Sequence, residues 1–568
     1  MTRIVIDDFG GIAPTINARK LADKFAQTAD RTYLKAGTLA PLRSATSDSG
    51  KSQIAKGAKS MFLYQGDFEA STRDKSYAKV PIANDNLDRI VVTDHTHTTN
   101  YPIIKSGASE YRLGIPQPGV PTIVSVTAPS DPNGLDAEDI TYVVTLVDAW
   151  GAEGPPSDPA TITERQIDTD VTVLLPSLPS GSYNFSAGAL FRLYRSNSGT
   201  DSTSYQFAGE FAVSNAGANV TDTKVNALLG EVIPSVDWIG PPDDDTTLYP
   251  NGPLEQVVNL PNGVLAGFAH KTICFTDPFL YHAWPASYRI TLEDEIVGIM
   301  AIASGLVVTT KRKPYLVTGV DPAAMTLIEL DVNQSCVSKK SMVDMGEYGI
   351  YASPDGLVLV SGTRAEVLTK GYYNREQWQD AWEPSNLIAF YWEGYYLAYN
   401  GDIASGPKGF MLNLVEGDVN FVTLGTHQIA SAGFYDAESD TTFFVLDDWD
   451  GTGNVFPLKF AQSILAPEEF TWRSKEFVLP RPECMTVVRV DALEDIATKP
   501  VTIKVFADGD YVNPILDYQH NDLTNVYTND QSFLRLPSTG KHRAYAVEVF
   551  TENEISRIVL ASSMQELT

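Results

Sequence analysis

His95 and His97 are two imidazoles one residue apart in a polar stretch, the spacing of a minimal metal-binding pair. Asp448, Asp450 and Asn454, within Asp448-Trp449-Asp450-Gly451-Thr452-Gly453-Asn454, offer the clustered oxygens and the glycines with which a loop curls around calcium. Neither set is complete. No carboxylate or third histidine stands at ligand spacing from His95-Thr96-His97, which reads as a solvated loop. Where a calcium loop would carry a bidentate glutamate at its twelfth position, the chain has Lys459. A hairpin turn needs the same Asp and Gly residues for its backbone, so 448–454 reads first as a turn and only second as a cation site. The remaining histidines, His270, His282, His427, His520 and His542, are scattered.

Hydrolysis of a glycoside needs two carboxylates facing each other across a sugar. Glu293, Asp294 and Glu295 qualify by type, but so do many others among 71 acidic residues, and nothing ranks one pair above the rest. Trp378, Trp382, Trp392 and Tyr395 could stack on sugar rings; in strands at this spacing they read as core. The G-x-S-x-G, H-E-x-x-H and P-loop patterns are absent. Cys274, Cys336 and Cys484 fit neither a zinc nor a redox spacing and read as buried free thiols. Lys311-Arg312-Lys313, the one local basic run in the repeat region, is explained as well by a solvated turn or a subunit contact as by phosphate binding. The expectation is therefore a non-enzyme with no catalytic, cofactor or metal residue.

The elements that must hold these residues are overwhelmingly strands. At 568 residues the chain needs several cores, and 43% hydrophobic with 20% charged residues suits folded domains. Against 42 Lys and Arg stand 71 Asp and Glu, a formal charge of −29, which disfavours tight binding to phosphate backbones or anionic lipid. No run approaches the length of a membrane-spanning helix, and Asp7 and Asp8 interrupt any signal-like core, so a soluble protein made in a reducing cytoplasm is expected. One short N-terminal helix is expected over 17–30, with Asn17 as N-cap and Leu21, Phe25 and Ala29 on one face; a weaker one is expected over 375–382. Everything else reads as short strands punctuated by Gly, Pro, Asn and Asp.

Between 263 and 460 a plan of apolar strand, tight polar turn and second apolar strand recurs at roughly the period of a β-propeller blade, with turns at His270-Lys271, Ser304-Gly305, Asp355-Gly356, Glu393-Gly394 and Ser439-Asp440. An earlier piece, 60–65 with 89–93, has the same look, so the propeller is expected to be built from both sides of an insertion. Ile140-Thr141-Tyr142-Val143, the turn Gly151-Ala152-Glu153-Gly154-Pro155-Pro156-Ser157 and the later Leu193-Tyr194-Arg195 resemble a fibronectin type III domain. That resemblance implies a seven-stranded sandwich that spaces, decorates or binds.

The opening Asp7-Asp8-Phe9-Gly10-Gly11-Ile12-Ala13-Pro14, followed by Gly37-Thr38-Leu39-Ala40-Pro41-Leu42-Arg43, resembles the start of tail-tube or nozzle proteins of short-tailed bacteriophages. Phe533-Leu534-Arg535-Leu536-Pro537 and the closing Leu560-Ala561-Ser562-Ser563-Met564 resemble that family's last domain. The expected fold is all-β. It has an N-terminal segment with first propeller strands at 1–117, a fibronectin-like insert at 118–242, the main β-propeller blades at 243–469 and a C-terminal β-sandwich at 470–568. The resemblance implies a structural virion protein: a homo-oligomeric ring, six-fold in that family, below the portal and its adaptor, conducting double-stranded DNA during ejection and anchoring fibres or spikes, without membrane insertion. It implies that Phe9, Gly10, Gly11 and Leu42 seat the propeller or a neighbouring subunit. A strongly acidic lumen would let DNA slide without sticking. The alternative is a carbohydrate-binding or glycan-hydrolysing β-propeller with accessory β-domains; a third is a fibre-like adhesin.

Overall fold

A computed structural model describes the chain except for residues 1–2, 36, 95–100, 129–135, 199–202, 401–406, 416–417, 426–429, 447–453, 456, 461–466, 495–498, 516–532, 538–539 and 568. The described residues are almost entirely β, as the punctuation of the sequence predicts. They form two compact units, each discontinuous in sequence. The first takes Met1–Thr72, Ile302–Leu316 and Glu329–Thr568; the second takes Arg73–Ala301 and Val317–Ile328. The four consecutive segments expected from sequence do not coincide with these units. No helix among the described residues is long and apolar enough to cross a membrane.

In the first unit the two ends of the chain are sewn together. Arg3–Ile6 runs antiparallel to Ile555–Ala561, with Arg3 opposite Ala561 and Ile6 opposite Ile558. Ala26–Asp30 lies antiparallel to Phe470–Ser474 and touches Asp418–Thr423 in parallel at Thr423, joining two sheets into one of nine strands. The C-terminal strands form two sheets, one containing Phe477–Glu483, Val501–Ala507 and His542–Thr551, the other Val487–Ala492 and Ile555–Ala561. The inward rows Val501, Ile503 and Val505, and Val488 and Val490 with Ile558 and Leu560, share one core.

The helix expected over 17–30 is not formed. Asn17 does what an N-cap does, accepting the Arg19 N–H on its side chain (3.1 Å) and the Lys20 and Leu21 N–H groups on its carbonyl (2.7 and 3.2 Å), but no second helical turn follows. Leu21, Phe25 and Ala29 are all buried, as their spacing implied, yet in two different places: the first two pack with Ala13, and Ala29 joins the main core from a strand. A short isolated helix is marginal without tertiary support, and here strand pairing supplies the stronger contacts. The helix that does form is Arg375–Trp382. Asn374 and Gln377 cap each other reciprocally, Trp378 and Trp382 are buried one turn apart, and Glu383 ends the helix in the left-handed region before Pro384. Asn374→Ala should lower stability by about 1 kcal/mol, read as a lower urea midpoint at unchanged slope.

Sheets of sequential antiparallel strands recur, the unit from which propeller blades are built. In the first unit Val343–Asp344, Gly349–Ser353, Gly356–Ser361 and Arg364–Val367 form one, and Ile388–Trp392, Tyr395–Tyr399, Gly409–Val415 and Asp418–Thr423 another. The Glu393-Gly394 turn takes positive φ at both residues (45° and 84°), the mirror-image geometry that a two-residue hairpin favours. A further sheet, Ala430–Asp436, Thr441–Leu446 and Leu458–Phe460, receives its fourth strand, Thr46–Ser47, from the other end of the chain.

In the second unit Lys75–Lys79, Ile90–Asp94, Ile103–Ser106 and Ser109–Arg112 make one such sheet, and Glu255–Leu260, Val264–Ala269, Thr272–Phe275 and Ile290–Thr291 the next. The expected piece 60–65 with 89–93 is therefore two pieces. Ser60–Tyr64 pairs with Asp67–Ser71, whereas Ile90–Asp94 pairs with Lys75–Lys79 and Ile103–Ser106. The residues alternate alike, and only the register says which partners they take.

In chain order the insert lies between these two sheets, with seven strands in sheets of three and four. Its path differs from an immunoglobulin-type sandwich, where the first two strands share a sheet. Here the second strand, Ala137–Val147, already belongs to the four-stranded sheet, and the last, Asn219–Asp222, returns to complete the three-stranded one. Arg195 and Asp222, both fully buried, pair at 2.5 Å, and Tyr142 donates to the same carboxylate at 2.7 Å.

Candidate functional site

Gly10 and Gly11 sit where the joined chain ends cross. The Gly11 α-carbon lies so close to Phe421 that an added Cβ would stand 2.3 Å from its amide nitrogen and 2.4 Å from its carbonyl oxygen. That approach lets Ile12 N–H donate to Phe421 O (2.8 Å) and Ala26 N–H donate to Gly11 O (2.9 Å). Trp472 Nε1 donates to Gly10 O at 3.2 Å, and its ring meets Phe9 edge-on at 5.2 Å. Leu42, 5% exposed, donates its N–H to Arg31 O, and its own carbonyl accepts from Glu468. The residues flagged by sequence are thus a seam inside one unit, with Phe9 and Leu42 buried in its core.

Other flagged residues scatter. Asp448 and Asp450 lie outside the described residues; Asn454 lies in Asn454–Val455, paired with Ile54–Ala55. His95, His97, His427 and His520 also lie outside the described residues. Among the described residues no three metal-ligating side chains gather. Trp378, Trp382, Trp392 and Tyr395 are core, at most 4% exposed. Glu293, Asp294 and Glu295 occupy a turn where Glu295 stands 3.9 Å from His270. Lys311-Arg312-Lys313 is a turn held by Thr310, whose hydroxyl accepts the Arg312 and Lys313 N–H groups, while Lys313 pairs with Glu329. Cys274 and Cys336 are buried free thiols, their pKa pushed up to about 12 by burial; Cys484 is half-buried.

The second unit brings together groups that sequence did not single out. At the root of the insert, Arg89 grips Asp85 with two N–H groups (2.9 and 3.0 Å), donates to Tyr281 Oη (2.9 Å), and lies against the rings of Tyr281 and Trp150. Asp148 organises the adjoining turn by accepting the Trp150 and Ala152 N–H groups at 2.9 and 2.8 Å. Burial pushes its carboxyl up to about 6, against those hydrogen bonds and the Arg89 charge. His282, 6% exposed, is pushed down to about 4 by burial, offset in part by the Glu153 backbone; neither ring nitrogen makes a hydrogen bond of normal geometry. Glu153 accepts from Thr145, Tyr194 and Arg192 at 2.6–2.7 Å.

Next to this root the linkers into and out of the insert bound a cleft of about 900 Å³. They are pressed together: a Cβ on Gly114 (φ +89°) would meet Pro241 Cδ at 2.6 Å. Arg112 is saturated. It pairs with Asp243 (2.9 Å) and with Asp244, and it stacks over Tyr101 at 4.2 Å and Tyr183 at 5.5 Å. Arg289 lies 5.2 Å over the Tyr249 ring; its Nε and Nη2 have no hydrogen-bond partner among the described residues.

No family model and no curated protein matches the chain. Among solved structures, the extracellular domain of the one-component system BT4673 from B. thetaiotaomicron matches at 10% identity and TM-score 0.23, over 85% of this chain and 44% of that one. The chain thus spans less than half of that structure's length. BBS1N, from its complex with ARL6DN, matches at 10% identity and TM-score 0.18, over 72% of this chain and 99% of that one. At such scores neither likeness bears on function.

Proposed function

We propose that the chain is a structural subunit of a phage tail, of the nozzle or tail-tube kind, whose copies form a ring for the passage of double-stranded DNA. The observation that carries this reading is the closure of the first unit. The N-terminal segment with the nozzle-like residues completes sheets from the far end of the chain at Thr46–Ser47 with Leu458–Phe460 and at Arg3–Ile6 with Ile555–Ala561. Closure of this kind removes open sheet edges and gives a stiff ring segment. The sequential four-stranded sheets support a propeller-like core, and the charge of −29 suits a wall along which DNA finds no binding wells. In this reading the protein is made in the host cytoplasm and resides in the virion. It contacts its own copies, six by resemblance, and the portal adaptor, and it offers the insert as an attachment point for fibres or spikes. It catalyses nothing.

Negative-stain electron microscopy tests the reading, on the purified chain alone and mixed with tail-deficient particles. Rings with a central channel, or tubes restored beneath particles, are expected. Persistent monomers that never join a particle would overturn it. The second reading, a carbohydrate-binding protein, is favoured by the cleft beside the insert.

A further inference from the structure

We infer that the second unit carries a docking surface for a basic segment of another protein, with a lysine or arginine seated on Tyr288 and its apolar neighbours on Val236, Phe279 and Val320. The inference concerns the second unit alone and does not depend on ring formation.

Most of the exposed large apolar side chains among the described residues belong to the second unit. Three of them, Val236, Phe279 and Val320, are 60%, 57% and 70% exposed, and each stands one or two positions from an aspartate: Asp237, Asp277 and Asp321. Far apart in sequence, the three segments meet around Tyr288. Trp238 Nε1 donates to Asp277 Oδ2 at 3.1 Å, which ties 236–238 to 277–279. Ala286–Tyr288 packs against Pro322–Ala324. The Tyr288 hydroxyl has its pKa raised by burial and then by the charges of Asp277, Asp321 and Asp237, so all three carboxylates act on one phenol.

Phe279 is held in an unusual conformation. Its φ is 65°, a region that a bulky residue rarely adopts, and its N–H donates to Gly263 O at 2.7 Å. Its ring covers Gly263, where a Cβ would stand 2.4 Å from it, yet more than half of the residue stays in solvent. Burial within the chain does not account for that arrangement; a partner laid on the exposed side does.

Charge decides what the partner is. Among the described residues no cation pairs with Asp237, Asp277 or Asp321. Three unpaired carboxylates repel nucleic acid and anionic lipid. A basic side chain is drawn to them and to an aromatic face beside them, and apolar residues in the same segment bury Phe279 and the two valines. A second copy of this chain is a poorer match. In Lys311-Arg312-Lys313 the next residues, Pro314 and Tyr315, are both buried, so that run brings charge without apolar side chains.

Fluorescence anisotropy tests the assignment with the full-length chain at physiological salt and three labelled peptides: LRVKLRV, the polar basic SRSKSRS and the acidic LEVELEV. LRVKLRV should bind about ten-fold tighter than SRSKSRS, and LEVELEV should not bind. Asp237→Asn combined with Asp321→Asn, both at exposed positions, should weaken LRVKLRV about ten-fold, whereas Glu438→Gln, at an exposed acid of the first unit, should leave it unchanged. Phe279→Asn supplies a residue that tolerates the same φ and should weaken LRVKLRV several-fold. Equal binding of LRVKLRV and SRSKSRS, unchanged binding in the double variant, or an equal loss in Glu438→Gln would each overturn the assignment. So would sedimentation that shows the wild type self-associating and the double variant not, which would assign the surface to a second copy. If Phe279→Asn fails to fold, the peptide comparison and the double variant still decide.

Discussion

Gly11→Ala is expected to destabilise the first unit by about 3 kcal/mol, which for a unit of this size lowers its calorimetric midpoint by roughly 4 °C. The added methyl would stand 2.3 and 2.4 Å from backbone atoms of Phe421, so no side-chain rotation can relieve it. Either Asp418–Thr423 or the 9–12 segment must move, and both are tied: Ile12 donates to Phe421 O, Gly11 O accepts from Ala26, and Trp472 is bonded to Gly10 O. Three strand neighbours therefore loosen together. Gly10→Ala is the internal control. Its Cβ would meet Lys24 O at 3.1 Å, a contact that a few tenths of an ångström can absorb, so less than half the loss is expected. Gly11→Ala with a wild-type midpoint would show that the seam does not hold the chain ends together. On the nozzle reading the same variant should also fail to form rings.

The residues that ordinary patterning governs were legible. Hairpins such as Ile388–Trp392 with Tyr395–Tyr399 follow from apolar alternation broken by a two-residue Glu-Gly turn, and the tryptophans read as core are core. What failed were choices that alternation does not contain. Leu21, Phe25 and Ala29 at a spacing of four fit a helix and fit two separate cores equally well, and pairing with Phe470–Ser474, more than 400 residues away, decides between them. The same degeneracy hid the partner of Ser60–Tyr64 and the return of Asn219–Asp222 to the three-stranded sheet.

The groups with the most perturbed environments were the least visible. His282 sits in Tyr281-His282-Ala283-Trp284 with no motif around it, and Asp148 looks like any acidic turn residue in Val147-Asp148-Ala149-Trp150. Their chemistry comes from burial at the place where the insert meets its neighbouring sheets, and burial is a property of the fold alone. Arg289 is invisible for the same reason, since nothing local in sequence says that two of its donors stay unmatched.

Asp148 and His282 should give the second unit two opposed pH dependences that nearly cancel. Asp148 titrates near 3.8 when unfolded and at about 6 in the fold. Between those values the folded chain holds a proton that the unfolded chain has lost, so stability falls as pH rises, and the contribution is fully present only below about 3.8. His282 titrates near 6.5 when unfolded and at about 4 in the fold. Between those values the unfolded chain holds the extra proton, so stability rises with pH, and the contribution is fully present only above about 6.5. Each shift corresponds to about 3 kcal/mol across its window. The wild type should therefore be nearly flat from pH 4 to 6. Asp148→Asn keeps an oxygen that can accept the Trp150 and Ala152 N–H groups and removes the buried charge. It should be about 3 kcal/mol more stable than wild type at pH 7, indistinguishable near pH 3.5, and should lose stability on acidification. His282→Phe, placed between the rings of Trp238 and Tyr281, should do the reverse and gain stability on acidification. Urea denaturation at half-unit pH steps measures both slopes. Slopes of the same sign in the two variants would refute the opposition, because each removes one of two groups that bind a proton in opposite states of the chain.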